Sequence, residues 1–150
     1  MMNPRSRARL TALLALTALC ALALPTASLA SSHSLSGAAA VRAVTRLYLY
    51  DVYTGNDTGA CDQLTSAFAQ RITEESGHAN CPMVFKDRVL APSHRQAAAV
   101  ANRQIAHSTV TITGRKASCR VPYVGSKQTL TYFLTRENHR WLISDIFAYI

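Results

Sequence analysis

Residues 110–143 read VTITGRKASCRVPYVGSKQTLTYFLTRENHRWLI, and this stretch decides the fold. β-Branched residues fill Val110 to Thr113, and Gly114 then turns the chain. Ala117, Cys119, Val121 and Tyr123 fall on one face of a second strand, Gly125 and Ser126 turn it, and Leu130, Tyr132 and Leu134 alternate in a third. Glu137, Asn138 and His139 turn again before Trp141, Leu142 and Ile143 open a fourth. Alternation of period two, punctuated by turn residues, specifies a meander of four antiparallel strands.

Upstream of the meander the period changes. Val41, Val44, Tyr48 and Val52 recur at steps of three and four, which predicts a helix over residues 38–53 with one apolar side. The run from Gly55 to Gly59 breaks it, with Asp57 or Thr58 as the expected cap of a second helix carrying Cys61, Leu64, Phe68 and Ile72 and ending at residues 74–77. Pro82 behind Asn80 and Cys81 suits the first turn of a third helix reaching about Leu90, before Pro92. Ser93 and Gln96 can cap one or two further turns through the alanine-rich residues 97–101. The sheet must cover its apolar face and the helices offer apolar stripes, so the expected class is α+β, three N-terminal helices packed on a curved four-stranded sheet.

The N-terminus has a different character. Arg5, Arg7 and Arg9 precede an uncharged stretch from Leu10 to Leu24, followed by Pro25 and the small residues ending in Ala30. That order is a secretory signal, so cleavage near Ala30 and a secreted product are expected. The stretch falls short of the roughly 20 apolar residues a spanning helix needs. The organisation is thus a signal peptide over 1–30, a flexible leader over 31–37 and one domain over 38–150, enough for a modest core. Charge is uneven along the rest: residues 31–87 hold four basic and six acidic side chains, and residues 88–150 hold nine basic and two acidic.

The order of elements resembles the nuclear transport factor 2 superfamily, which includes ketosteroid isomerases and polyketide cyclases, and is similar above all to small exported actinobacterial members. The resemblance rests on AVRAVTRLY (residues 40–48), on Gly55-Asn56 ahead of ACDQLT (60–65), and on FLTRENHRWLI (133–143), and it covers nearly all of residues 38–147. It implies a cone-shaped domain with a pocket between sheet and helices, and a sheet face that commonly mediates dimers, so a homodimer is a possible assembly. Fold transfers better than function across such a superfamily.

Three cysteines remain after the signal, and in an oxidising compartment one bridge is expected. Cys61 and Cys81 sit on or beside successive helices, and related exported proteins resemble this chain in carrying a cysteine pair in the second and third helices. A Cys61–Cys81 bond would stabilise the fold by about 3 kcal/mol and leave Cys119 as a small buried hydrophobe. Zinc on Cys61, His78 and Cys81 lacks a fourth ligand and any paired-ligand motif, so no metal is expected.

Pocket-lining candidates are Tyr48, Val52, Tyr123, Tyr132 and Trp141, with Tyr48, Asp51 and Asp145 as the catalytic set if the protein is an enzyme. In ketosteroid isomerases a first-helix tyrosine and a strand carboxylic acid hold the oxyanion while another carboxylate moves the proton. Tyr48 resembles the first of these in placement. No aspartate or glutamate occurs between Asp87 and Glu137, so the first three strands supply no carboxylate. A cyclase-type pair would have to join His107 to Asp51 or Asp145. Nucleophile motifs, phosphate-cradling glycine loops and cofactor fingerprints are absent from the sequence, and no cofactor is expected. Arg115, Lys116, Arg120, Lys127, Arg136 and Arg140 can form a rim facing an anionic cell-wall or membrane surface, whereas nucleic acid would call for interleaved aromatics. The expected function is an exported, non-enzymatic module that holds a small apolar molecule or a protein partner, with a pocket isomerase or cyclase as the alternative.

Overall fold

In the computed structural model, residues 37–86, 93–123 and 127–149 are described. The secretory segment, nearly all of the leader, the expected end of the third helix at Leu90 and the turn at Gly125 lie outside them. Among the described residues, five helices precede four strands, where the sequence predicted three: α1 (Gly37–Thr54), α2 (Asp57–Asp62), α3 (Ser66–Ser76), α4 (Cys81–Phe85) and α5 (His94–Ala106), then β1 (Thr109–Thr113), β2 (Lys116–Pro122), β3 (Thr129–Glu137) and β4 (Arg140–Tyr149). The fold is α+β, with the sheet antiparallel throughout in the order β1-β2-β3-β4.

The difference in helix number has two physical sources. Cys61, Leu64, Phe68 and Ile72 keep a helical period, yet the helix breaks at residues 63–65. β4 is an edge strand with unpaired backbone groups, and those three residues satisfy them: the Ile143 amide donates to the Gln63 carbonyl at 2.8 Å and the Thr65 amide to the Ile143 carbonyl at 2.8 Å. The Thr65 hydroxyl then accepts from the Phe68 amide at 3.2 Å and restarts the chain as α3. Asn56, rather than Asp57 or Thr58, caps α2.

The second source is α5. Its buried stripe is Ala97, Ala101, Gln104 and Ile105, correctly spaced but almost without large side chains. Alanine is the best helix former and lets α5 approach α1 closely, so one or two expected turns become 13 residues in the middle of the chain, directly before β1. The Gln96 side chain accepts from the Ser93 amide at 3.0 Å.

The core lies between α1, α3 to α5 and one sheet face. Val41, Tyr48, Leu49, Phe68, Phe85 and Ile105 meet Ala117, Cys119, Val121, Tyr132, Leu134 and Ile143. Tyr48 makes edge contacts with Phe85 and Tyr132, at ring separations of 6.2 and 5.9 Å. Leu134 pairs with Ile143 while Phe133 pairs with Asp145, so Ser144 is an extra residue in β4, and the bulge increases the local twist. The opposite sheet face presents Thr111, Ser118 and Arg120, and a Phe133–Phe147 edge contact.

Cys61 and Cys81 form a disulfide, tying α4 to α2, with their Cα atoms 6.1 Å apart. Cys119 is free and fully buried, and that burial pushes its thiol pKa up. No helix among the described residues is long and apolar enough to cross a membrane.

Candidate functional site

A pocket of about 870 Å³ opens between α1, α3 and α4 on one side and β3 and β4 on the other. α1 supplies Tyr48, Leu49, Val52 and Tyr53, whose steps of three and four place them along one side of the helix. α4, too short to hold itself together, is pinned through Cys81 and sets Val84 and Phe85 into the wall. Leu130 and Tyr132 rise from β3, and Asp145, Ile146 and Phe147 come from β4 beside the bulge. Tyr123, 40% exposed, and Phe147, 50% exposed, stand at the rim.

Of the sequence-derived candidates, Tyr48, Val52, Tyr123, Tyr132 and Asp145 line this pocket. Trp141 does not: it is packed in the core at the start of β4, at the far end of the strand from Ile146 and Phe147. Asp51 does not either. It is 3% exposed, its carboxylate accepts from the Asn56 side-chain amide at 2.8 Å, and its main-chain carbonyl accepts from the Asn56 amide at 2.9 Å. This carboxylate therefore fastens the α1–α2 turn. Burial raises its pKa, the Asn56 hydrogen bond opposes the rise, and the Asp62 charge adds to it. His107 is exposed at the end of α5 and is not among the pocket residues, so no Asp-His pair forms there.

Residues that the sequence did not single out complete the site. Arg71 is its electrostatic centre: one guanidinium nitrogen reaches the Asp145 carboxylate at 2.6 Å, another lies 3.9 Å from Glu75, and the group rests over the Phe68 ring at 5.0 Å. Phe68, Arg71, Ile72 and Glu75 follow one another at three- and four-residue steps, a signal that would have put all four on one side of α3. Tyr53 donates to the Gln104 side chain at 3.1 Å. Burial raises the pKa of Tyr53, and burial with neighbouring tyrosines raises that of Tyr132 well above 10. Both phenols are therefore held in the neutral, protonated form at physiological pH.

Comparison with protein-family models, curated proteins and solved structures finds no match for this chain. The chemistry of the site must therefore be read from its own residues. Among the described residues, thirteen of the sixteen lining side chains are aromatic or aliphatic, and the three charged ones are concentrated at the α3–β4 side. Such a lining removes apolar area from water and orients one polar end, where among the described residues the two carboxylates, Asp145 and Glu75, both face Arg71. A three-sided zinc arrangement on Cys61, His78 and Cys81 is blocked by the bond between the two sulfurs. Among the described residues, no group of three histidine, cysteine or acidic side chains is placed to hold a metal ion.

Proposed function

We propose that this protein is an exported, non-enzymatic domain of the nuclear transport factor 2 type that holds a small apolar molecule in the pocket between its helices and sheet. The observation that carries the reading is the pocket: about 870 Å³, walled by tyrosine, phenylalanine and aliphatic side chains and open at the Tyr123–Phe147 rim. Pockets of roughly 300–1,000 Å³ with an apolar lining and few polar groups suit small organic ligands. Helices laid across one face of a four-stranded meander are the arrangement that the resemblance implies, and a cone is the shape this reading gives it. Export accords with the disulfide, a bond that persists in oxidising compartments, and with the N-terminal signal pattern.

The isomerase or cyclase alternative needs two proton-handling groups converging on a substrate. Tyr48 and Asp145 share the pocket, which favours that alternative in part. Asp51 faces away into the α1–α2 turn, however, and Asp145 accepts from Arg71 and from its neighbouring backbone amide at 2.9 Å. Asp145 and Glu75 both face the Arg71 guanidinium, and carboxylates shared with an arginine beside neutral phenols are a set for binding.

The test is a titration of the purified protein with the uncharged apolar dye Nile red, comparing wild type with Val52→Trp, which puts an indole into the cavity. Saturable one-to-one binding, weakened about tenfold or more (about 1.4 kcal/mol) by the substitution, is expected. Absence of binding, or equal binding by both proteins, would overturn the reading. Ile72→Trp, placed on the opposite wall, provides the same test if Val52→Trp does not fold.

A further inference from the structure

The polar end of the pocket carries a sign. Among the described residues its charged side chains are Arg71, Glu75 and Asp145, two negative and one positive. Arg71 already has partners: Asp145 takes one nitrogen at 2.6 Å, Glu75 lies 3.9 Å from another, and the guanidinium rests over the Phe68 ring, with the side chain 47% exposed. The carboxylates are not equally consumed. Both hydrogen bonds to Asp145, from Arg71 and from the Ile146 amide, end on Oδ1, and Oδ2 accepts none among the described residues. Glu75 is 68% exposed and 3.9 Å from its partner, so its hold on Arg71 is loose.

An anionic head group entering this end would meet two carboxylates and would have to share Arg71 with Asp145, which holds one of its nitrogens at 2.6 Å. A neutral hydroxyl would gain one hydrogen bond at Asp145 Oδ2. A cationic head would gain that bond with charge assistance and a second attraction from Glu75. The chain as a whole is basic, with a formal net charge of +8. Charges beyond roughly 8 Å are largely screened at physiological salt, so the groups inside the pocket decide the preference.

The geometry points to an apolar organic amine as the pocket's ligand class, its ammonium taken by Asp145 and Glu75 at the α3–β4 side and its hydrocarbon body lying along the aromatic wall. This inference rests on the small-molecule pocket proposed above. It adds the sign of the head group, which an apolar cavity alone leaves open.

The experiment is displacement of Nile red at pH 7 by decylamine, decanol and decanoate, which share one tail and are each used below the micelle concentration. The expected order is amine, then alcohol, then carboxylate, with the amine about tenfold tighter than the alcohol. Glu75→Gln, which removes one exposed charge and spares the Arg71–Asp145 bond, should shrink that amine-to-alcohol ratio about threefold. Asp145→Asn should bring it close to one. Equal displacement by all three compounds, tighter binding of decanoate, or a ratio unchanged in Glu75→Gln would overturn the amine assignment and leave the apolar pocket standing. If Nile red binds and none of the three displaces it, the assignment also fails. If the dye itself does not bind, the pocket reading fails and the amine assignment falls with it.

Discussion

Removing the Cys61–Cys81 bond, as Cys61→Ala with Cys81→Ala, tests how so small a core is kept folded. The bond joins residues 20 apart in sequence. In the chain-entropy account a loop of that length restricts the unfolded ensemble by about 11 cal/mol/K, which is about 3 kcal/mol at room temperature. Domains of this size have only about 5–15 kcal/mol in total, so the loss is a large fraction. Because the effect lies mainly in the unfolded state, the midpoint should fall by about 10–20 °C and the urea dependence should steepen as the unfolded chain expands. A second consequence is local. α4 has five residues and carries Val84 and Phe85 of the pocket wall, so dye affinity should weaken in the variant even at temperatures where it is fully folded. The assay is thermal and urea denaturation followed by circular dichroism, with wild type in reductant as a matched control. A loss below about 1 kcal/mol, or an unchanged urea dependence, would refute the reasoning.

Other consequences are equally checkable. A Cβ on Gly59 would lie 2.8 Å from Asn56 Cγ and 2.9 Å from Asp51 Cγ, so Gly59→Ala must displace the cap of α2; urea denaturation should show a loss of about 1–2 kcal/mol although alanine is the better helix former, and a gain would contradict this. Burial raises the Asp51 pKa above its ordinary 3.8, so its stabilising contribution is complete below that value and drains as pH rises through the raised one. Asp51→Asn should accordingly gain on wild type as pH increases from below 4 towards 7, and a flat difference across denaturation curves would count against it. Cys119 is 0% exposed; iodoacetamide without reductant should leave it unlabelled in the native protein and label it after unfolding, while peptide mapping finds Cys61 and Cys81 unlabelled in both states.

The order of elements was legible wherever large apolar side chains mark a period. Val41, Val44 and Tyr48 for α1, or Ala117, Cys119 and Val121 for β2, announce their faces because burying them is what stabilises the element. α5 was largely hidden because its buried stripe is mostly alanine, which packs by being small rather than by being hydrophobic. The break between α2 and α3 was invisible for another reason. Residues 63–65 answer a demand made by β4 some eighty positions later, and nothing local in them announces it.

The candidate site divides along the same line. Tyr48, Val52, Tyr123 and Tyr132 lie where helix phase and strand alternation put them. Asp51 is one residue from Val52 yet turns into the α1–α2 corner, and Asn56, five residues on, explains why. Trp141 alternates in phase with Ile143 but enters the core too early along β4 to reach the cavity. Arg71 gains its meaning only from Asp145, 74 positions away, and pairings at that range are not written in either residue's neighbourhood.

The most direct measurement of the central claim is an amide chemical-shift titration of the purified protein with decylamine. Saturable shifts are expected to concentrate at Val52, Ile72, Val84, Leu130 and Ile146 around the cavity, with the amide of Asp145 among the largest. Shifts confined to the opposite sheet face around Thr111, Ser118 and Phe133, or no saturable shifts at all, would contradict it.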